Sequence, residues 1–554
     1  MRSSISRLFG SLSTIGLLFG FLFFAASLTP SLMPRSYVIQ GALSGVCSAI
    51  GYLFGVWLVW LYGYLQLPVW RDAPRAVKAA VIAAGLLISV YFISLSTGWQ
   101  NSIRSLWGMD RIESAEPFKL ALIAALIFII ALIAGRLFYF TWLAVSRWLA
   151  KFVPPRISNV VGGFVALALF WSAVEGVLLR AALHVADSSF QKVDALIEDK
   201  VPMPLDPGQT GSSASLVAWD GLGRQGRSFI ASGPAATDIE AFWKEPARKP
   251  VRVYVGLNNT DTIDKRAKLA LEELKRQDAF SRPLLVVVVP TGTGWVDEAA
   301  IDTLEYLHHG DVASVAVQYS YLASWLSLMV EPEYGAESAK ALFREVYRHW
   351  TALPHDKRPK LYLYGLSLGA LNSQLSVDFF DIVGDPFQGA LWSGPPFASR
   401  MWTSVTANRD PQTPAWLPRF RDGSIIRFTS QKNALDIAGA TWGAMRIVYL
   451  QYASDPITFF DIRSSYREPD WMKSPRGPDV SPGIVWIPGL TMLQLAFDMA
   501  IATTSPMGYG HVYAPQHYID AWIAVTAPTI DQDHVESLKR HFDYMLDLDE
   551  SKGG

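Results

Sequence analysis

The sequence predicts a multi-span α-helical membrane domain followed by an α/β domain with a doubly wound, mostly parallel sheet. The chain has 554 residues, of which 51% are hydrophobic, and its mean hydropathy of +0.21 is high for a soluble protein. The apolar excess lies in roughly the first third of the chain. Beyond it, strand-like and helix-like patterns alternate, as in a parallel sheet covered by helices. We therefore expect a transmembrane domain over residues 1–186, a linker over 187–213 and the α/β domain over 214–554.

Apolar stretches long enough to cross a bilayer recur in the first part of the chain. They cover residues 8–28, 37–64, 79–95, 120–144 and 160–179. The first lacks a clear signal-peptide cleavage site and runs into further apolar sequence, so we interpret it as an uncleaved span. Arg136 and Glu175 fall within spans. Either they are functional charges or, the interpretation we favour, they reach polar surroundings near span ends.

The charges of the chain constrain its orientation and its partners. Lys and Arg residues in the predicted loops favour a cytoplasmic N-terminus, and an odd number of spans then places the α/β domain on the extracytoplasmic side. The net charge of −1 indicates no nucleic-acid partner. The single cysteine, Cys47, excludes a disulfide framework and a cysteine-based zinc site, and the histidines lack metal-ligand spacing. We expect no metal and no cofactor.

The α/β part is predicted from runs of β-prone and amphipathic sequence. Strands are expected at residues 251–255, 284–289, 312–318, 361–364, 389–392, 424–428 and 446–452. Helices are expected directly after the fourth strand and at residues 262–276, 297–308, 336–350, 519–527 and 535–546. The aliphatic run at 284–289 is unbroken, which is typical of a parallel strand buried on both faces.

The fourth strand leads into a G-x-S-x-G motif at residues 365–369, with Ser367 at its centre. A bare motif of this kind arises by chance in a chain with 41 glycines. The order strand, motif, helix is nevertheless that of a nucleophile elbow, in which the glycines permit a tight turn that exposes the serine hydroxyl. We expect Ser367 to be a nucleophile.

Because active groups gather at the carboxyl ends of parallel strands, we looked there for partners of the serine. The loop at residues 290–295 follows the aliphatic strand and contains two glycines, which let backbone N–H groups approach an oxyanion. We expect the oxyanion donors to be Gly292 and Thr293 of this loop and Leu368, the residue after the nucleophile. A plain turn or a phosphate-binding loop is the alternative, although the Lys-Ser/Thr ending of a P-loop is missing.

The expected acid is Asp455, which follows the strand at 446–452. An acid in this position fixes the tautomer of a catalytic histidine and stabilises the imidazolium. An Asp-Pro turn or a helix cap would use the same residue. Asp461 and Asp385 are competing candidates, but only Asp455 follows a clear strand in the chain order Ser, Asp, His.

The expected base is His511, which lies in a glycine-containing loop before a predicted helix. His517, at the start of that helix, is the alternative. His534 and His541 lie among charged residues of the last predicted helix, where we expect them to be solvated. The sequence therefore predicts a triad of Ser367, Asp455 and His511.

An unusually apolar insertion separates the predicted acid from the predicted base. It includes residues 484–490 and 492–502, and it is either a core helix or a lid or interfacial helix beside the bilayer. Aromatic residues that follow other strand ends either pack in the core or line an apolar acyl pocket. They are Tyr319, Tyr321, Trp325, Trp392 and Phe397.

Over nearly its whole length the chain resembles the bacterial membrane-bound α/β-hydrolase family with a multi-span N-terminal domain. The resemblance rests on LTPSLMPR (28–35), RVYVGL (252–257), PTGTGWVD (290–297), QYSYL (318–322), GLSLG (365–369), SDP (454–456) and GH (510–511). It implies an α/β-hydrolase domain tethered to a bacterial inner (cell) membrane, in which Ser367, Asp455 and His511 match the triad. It does not imply a particular substrate.

We therefore expect a membrane-anchored serine hydrolase of the esterase or lipase type, with the lipid bilayer and a lipid-like or acyl-ester substrate as partners. An acyltransferase with the same triad is the nearest alternative, because both reactions pass through an acyl-enzyme. In a third interpretation, the chain is a transport or scaffold protein whose spans carry the function. The oligomeric state stays open.

Overall fold

The computed structural model describes residues 12–67, 75–172, 201–322 and 333–553. These residues divide into two compact units. The first unit takes in the chain up to Val185 together with Phe460–Thr504, and the second takes in Ala186–Phe459 and Ser505–Gly554. Three sequence predictions fall outside the described residues, namely those on Glu175, on Trp325 and on linker residues 187–200.

Five helices form the N-terminal part of the first unit within the described residues. They are α1 (Thr14–Ser27), α2 (Tyr37–Tyr64), α3 (Arg75–Leu106), α4 (Pro117–Leu149) and α5 (Pro155–Ser172). Three of them, α2, α3 and α4, are long and apolar enough to cross a membrane, and they contain the second, third and fourth predicted spans. The first and fifth predicted spans each extend beyond the described residues, and their described parts form α1 and α5.

Small residues let the helices of the first unit approach closely. A Cβ at Gly51 of α2 would lie 2.4 Å from the carbonyl oxygen of Phe19 on α1. A Cβ at Gly45 of α2 would lie 2.8 Å from the carbonyl oxygen of Ala124 on α4. Lipid tails are as apolar as the helices, so close backbone packing of this kind is a main source of cohesion between membrane helices.

The second unit is built on a seven-stranded sheet in which all neighbouring strands are parallel. Its strand order is β1-β3-β2-β4-β5-β7-β6. The strands are β1 (Val251–Val255), β2 (Leu284–Val289), β3 (Val312–Val317), β4 (Lys360–Leu366), β5 (Gly389–Ser393), β6 (Ile426–Thr429) and β7 (Arg446–Leu450). All six residues of β2 are buried, as the unbroken aliphatic run predicts.

Helices precede β1, lie between most of the later strands and follow β7. They are α6 (Gly223–Ala231), α7 (Ala236–Trp243), α8 (Ile263–Arg276), α9 (Glu298–Leu307), α10 (Tyr334–Ala352), α11 (Leu368–Leu375), α12 (Phe379–Ile382), α13 (Arg400–Ala407) and α14 (Pro456–Phe459). Helix α9 begins where it does because the Asp297 side chain accepts a hydrogen bond from the Ala299 N–H group and so caps the helix. The predicted fold class, apolar helices followed by a doubly wound parallel α/β domain, is confirmed.

The insertion between Asp455 and His511 belongs to the first unit rather than the second. Its helix α15 (Leu490–Ala500) begins at Leu490, which is buried against Leu43 and Cys47 of α2. The sequence left open whether this helix packs in a core or acts as a lid, and its described contacts are those of a core helix of the first unit. The chain then returns to the second unit and ends with α16 (Pro515–Thr526) and α17 (Gln532–Gly553).

Candidate active site

Ser367 occupies a strained turn between β4 and α11. Its backbone angles, φ 57° and ψ −124°, lie outside the regions that residues with a side chain normally adopt. A Cβ at Gly365 would lie 2.4 Å from the carbonyl carbon of Gly369, and a Cβ at Gly369 would lie 2.1 Å from the carbonyl oxygen of Val289. Only glycine fits at both positions. Strain of this kind costs about 1–3 kcal/mol and is characteristic of functional turns.

The end of β5 contacts both the serine and the predicted base. The Ser367 N–H group donates to the carbonyl oxygen of Ser393, 3.0 Å away. The next residue, Gly394, has φ +48°, and a Cβ there would lie 2.6 Å from Cε1 of His511. The Nε2 atom of His511 is buried and has no hydrogen-bond partner in the part of the chain that the structure describes. It is the ring atom that would accept a proton from a nucleophile.

The other ring nitrogen of His511 is held by the predicted acid. His511 Nδ1 lies 2.7 Å from Oδ2 of Asp455, and the Asp455 side chain is fully buried. The second oxygen, Oδ1, accepts from the N–H group of Ile457 at 2.9 Å, so the carboxylate also caps α14. A buried carboxyl group is costly without hydrogen-bond partners, and this arrangement also fixes the orientation of the imidazole.

A tyrosine that the sequence analysis did not single out completes this cluster. The Tyr513 hydroxyl donates to Oδ2 of Asp455 at 2.8 Å, and the Tyr513 side chain is buried. Burial, followed by the charge of Asp455, raises the pKa of Tyr513 well above its usual value, so it stays a donor. Apart from its position two residues after His511, nothing in the sequence distinguishes Tyr513 from a packing aromatic.

The competing candidates lie elsewhere. His517 Nδ1 is 2.6 Å from the Tyr452 hydroxyl, and burial lowers the pKa of His517 to about 4. Asp385 pairs with Arg358 at the other end of the strands, and Asp461 pairs with Arg463 in the first unit. His534 is bonded to Asp531, and His541 packs against Phe242.

The loop after β2 lies beside the elbow, because the carbonyl oxygens of Val289 and Pro290 are the atoms nearest to a Cβ at Gly369. It is closed by a hydrogen bond from the Thr291 N–H group to the carbonyl oxygen of Trp295, 2.9 Å away. Gly292 and Thr293 form the tip of this turn. In the described part of the chain, the N–H groups of Thr293 and Leu368 have no hydrogen-bond acceptor. Both are therefore available as donors to a ligand.

Comparison with known proteins identifies the family of the chain. Residues 251–538 match the alpha/beta-hydrolase family, and residues 28–234 match the N-terminal region of an alpha/beta-hydrolase family. The chain belongs to the α/β-hydrolase family. The resemblance to an α/β-hydrolase family is thereby confirmed, and the bacterial source and the multi-span N-terminal domain stay predictions. No curated protein and no solved structure matches the chain.

This family member also has a second buried carboxylate near the base. Asp297 follows the loop after β2 and accepts a hydrogen bond from the Tyr518 hydroxyl at 2.7 Å. Tyr518 in turn accepts from the Tyr364 hydroxyl at 3.2 Å. Burial raises the pKa of Asp297 to about 6, although the Tyr518 bond and the nearby charge of His511 oppose the shift. The sequence placed Asp297 in a motif without assigning it a role.

The aromatic residues considered for an acyl pocket have different environments. Trp392 is buried, and its Nε1 donates to the Ser373 hydroxyl at 3.0 Å, so it packs in the core. Tyr319 is also buried, whereas the Tyr321 hydroxyl donates to Asn258 near the surface. The Phe397 N–H group donates to the carbonyl oxygen of Ile457, next to the acid. A pocket formed by these residues stays a prediction.

In the part of the chain that the structure describes, no group of three or more His, Cys, Asp or Glu side chains is placed to hold a metal ion. The adjacent His308 and His309 have separate partners, because His308 contacts the Thr526 hydroxyl and His309 stacks on Trp243.

Proposed function

We propose that this α/β hydrolase is a membrane-anchored serine hydrolase that cleaves an ester-type, lipid-like substrate through Ser367, His511 and Asp455. The observation that carries the proposal is the fully buried bond between His511 Nδ1 and Asp455 Oδ2, at 2.7 Å, combined with a His511 Nε2 that has no partner among the described residues. Such a histidine is oriented and ready to accept a proton.

In the proposed reaction, Ser367 Oγ attacks the acyl carbonyl carbon while its proton passes to Nε2 of His511. Asp455 stabilises the imidazolium that forms. The N–H groups of Leu368 and of the Gly292 and Thr293 turn stabilise the negative charge on the former carbonyl oxygen. His511 then gives the proton to the departing alcohol, which leaves an acyl-enzyme. Water, deprotonated by His511, attacks the acyl carbon, and His511 returns that proton to Ser367 Oγ as the ester bond to the serine breaks and the acid leaves.

The substrate class is inferred from the first unit. Three of its helices are long and apolar enough to cross a bilayer, which would hold the catalytic unit where membrane lipids are abundant and soluble esters are dilute. A lipid-like ester is therefore the substrate class that the architecture favours. We propose the extracytoplasmic side of a cell membrane as the location, from the distribution of Lys and Arg in the sequence.

An acyltransferase would use the same groups, because the acyl-enzyme passes its acyl group either to water or to another alcohol or amine. Product analysis separates the two. Release of free fatty acid from a lipid ester supports hydrolysis, whereas transfer to an added acceptor at the expense of free acid supports acyl transfer.

The experiment that tests the proposal is labelling of membranes with a fluorophosphonate probe, which reacts with activated serines. We expect the wild type to label, Ser367→Ala to be silent, and His511→Ala and Asp455→Asn to lose most of the labelling rate. Ser281→Ala and His534→Ala change an exposed serine and an exposed histidine outside the site, and they should label as the wild type does. Equal labelling of Ser367→Ala and the wild type would refute the proposal.

A further inference from the structure

The insertion joins the two catalytic segments through the first unit. The chain leaves the second unit after Phe459, shortly after Asp455, and returns at Ser505, shortly before His511. The acid and the base are therefore attached to the two ends of one segment that folds with the apolar helices.

Both connecting segments are short and are ordered by hydrogen bonds within the second unit. On the acid side, Asp455 caps α14, and Phe459 at the end of α14 is buried against Trp402 with ring centroids 5.9 Å apart. On the base side, the Ser505 hydroxyl donates to the carbonyl oxygen of Tyr509 at 2.8 Å. The Gly510 N–H group donates to the Ser454 hydroxyl at 3.0 Å. We therefore expect a displacement at either end of the insertion to move the acid or the base.

Within the first unit, a buried ion pair anchors the insertion. Arg35 Nε lies 2.8 Å from Oδ1 of Asp498 on α15, and the two side chains are 1% and 0% exposed. The second oxygen, Oδ2, accepts from the Leu32 N–H group at 3.1 Å. Arg35 also donates to the Gln40 side chain at 3.1 Å and to the Ser31 hydroxyl. Such full pairing offsets the high desolvation cost of two buried charges.

A second contact joins α15 to the same N-terminal segment. The Gln494 side chain donates to the carbonyl oxygen of Thr29 at 3.0 Å. The backbone carbonyl oxygen of Gln494 accepts from Arg35 at 3.3 Å. The LTPSLMPR motif at residues 28–35 therefore binds α15 through both its backbone and its arginine. This motif was singled out in the sequence, yet it carries none of the proposed chemistry.

We propose that Arg35 and Asp498 are positioning residues for the reaction at Ser367, because they hold the segment whose two ends carry Asp455 and His511. This inference rests on the proposed function. It gives the first unit a role in catalysis beyond anchoring, through the chain segment that connects the acid to the base.

The test compares Asp498→Asn and Arg35→Met with the wild type as full-length proteins in lipid nanodiscs. Each variant leaves one member of the pair buried without its partner. We expect the maximal rate of fluorophosphonate labelling to fall about tenfold or more, because the acid and the base are less well positioned. The probe concentration that gives the half-maximal rate should stay unchanged, because access to the serine is not altered.

Hydrogen–deuterium exchange gives a second readout that does not depend on activity. We expect faster exchange in residues 454–459 and 505–512 of both variants, in addition to the insertion itself. Glu305→Gln serves as the matched control, since it breaks an equally buried pair with Arg252 of β1 at the far edge of the sheet. It should leave exchange in those two segments as in the wild type.

The outcomes separate this inference from the proposed function. A wild type that never labels refutes the proposed function, and the exchange measurement then still decides whether the pair positions the two segments. Faster exchange confined to residues 460–504, with a wild-type labelling rate, would show that the pair is merely structural and would overturn the inference. If both variants fail to fold, Arg35→Lys takes their place. It keeps the positive charge but loses some of the hydrogen bonds that the guanidinium group donates. The labelling rate and the exchange rates then test the inference in the same way, with smaller expected changes.

Discussion

Each unit of this protein contains a fully buried pair of charged or ionisable side chains, and the two pairs differ in one respect. In the first unit, Arg35 and Asp498 are surrounded by partners, with Leu32, Gln40 and Ser31 completing the hydrogen bonds. In the second unit, Asp455 is equally well bonded, but Nε2 of His511 has no partner within the described residues. A network in which every polar atom is hydrogen-bonded resists displacement. An oriented ring nitrogen without a hydrogen-bond partner is instead available to accept a proton.

The largest effect should come from breaking the open pair. Asp455→Asn removes the charge that stabilises the imidazolium and favours the wrong histidine tautomer. We expect the labelling rate of Ser367 to fall by about 10⁴-fold. The free energy of unfolding should change far less than this loss of about 5.5 kcal/mol in transition-state stabilisation. Labelling kinetics and denaturant unfolding of the same sample would check both numbers, and a loss below tenfold would contradict the assignment of Asp455.

Breaking the closed pair should mainly affect stability. Asp498→Asn leaves the Arg35 charge buried and uncompensated, which costs about 3–5 kcal/mol. Replacing both partners, as in Arg35→Met with Asp498→Leu, removes both charges and should restore most of that loss. Unfolding of the intact protein in detergent would measure the two variants. If the double variant were as unstable as the single one, burial of an unpaired charge would not be the cause.

Asp297 extends the comparison to a buried carboxyl group that has no paired cation among the described residues. Its pKa is raised to about 6, so the folded state holds a proton that the unfolded state releases above its ordinary pKa of 3.8. The contribution of this proton to the free energy of unfolding is fully present below pH 3.8 and is lost as the pH rises through 6. Asp297→Asn lacks this dependence. We expect its free energy of unfolding, relative to the wild type, to improve by about 2.4 kcal/mol between pH 4 and pH 7. A flat difference over that range would contradict the assignment.

The smallest expected effect is on the hydrogen bond from Tyr513 to Asp455. Tyr513→Phe keeps the ring but removes one donor to a carboxylate that has others, a loss of about 1.5–3 kcal/mol. We expect the labelling rate to fall by about tenfold, with the serine still reactive. Tyr347→Phe removes a tyrosine hydroxyl that donates to the carbonyl oxygen of Asp385, at the other end of the strands, and provides the matched control. Equal rates in the two variants would show that the remaining donors suffice to hold the acid.

Local patterns of the sequence were sufficient to predict much of the fold and the positions of the candidate site. Strand β2 was recognisable because a strand buried on both faces must be apolar throughout. Ser367 was recognisable because its turn admits only glycine at positions 365 and 369, which leaves a fixed spacing in the chain. Asp455 followed from the rule that active groups lie at the carboxyl ends of strands, and His511 followed from its place in a glycine-containing loop before a helix.

Contacts between distant parts of the chain could not be predicted in the same way. Arg35 and Asp498 are separated by hundreds of residues, and nothing near either one indicates its partner. The apolar composition of α15 suited a core helix and a lid equally, because both bury an apolar face. Tyr513 resembled any packing aromatic, since its role depends on the direction of one hydroxyl group. The first and fifth predicted spans each include residues that lie outside the part of the chain that the structure describes.

The most direct test of the central claim is identification of the residue that reacts with a fluorophosphonate probe in membranes. We predict that mass spectrometry of the labelled wild-type protein places the phosphonate on Ser367, and that the Ser367→Ala variant carries no label at any site. A folded wild type that stays unlabelled in the presence of lipid and detergent, or that is labelled on another serine, would contradict the claim that Ser367 is activated by His511 and Asp455.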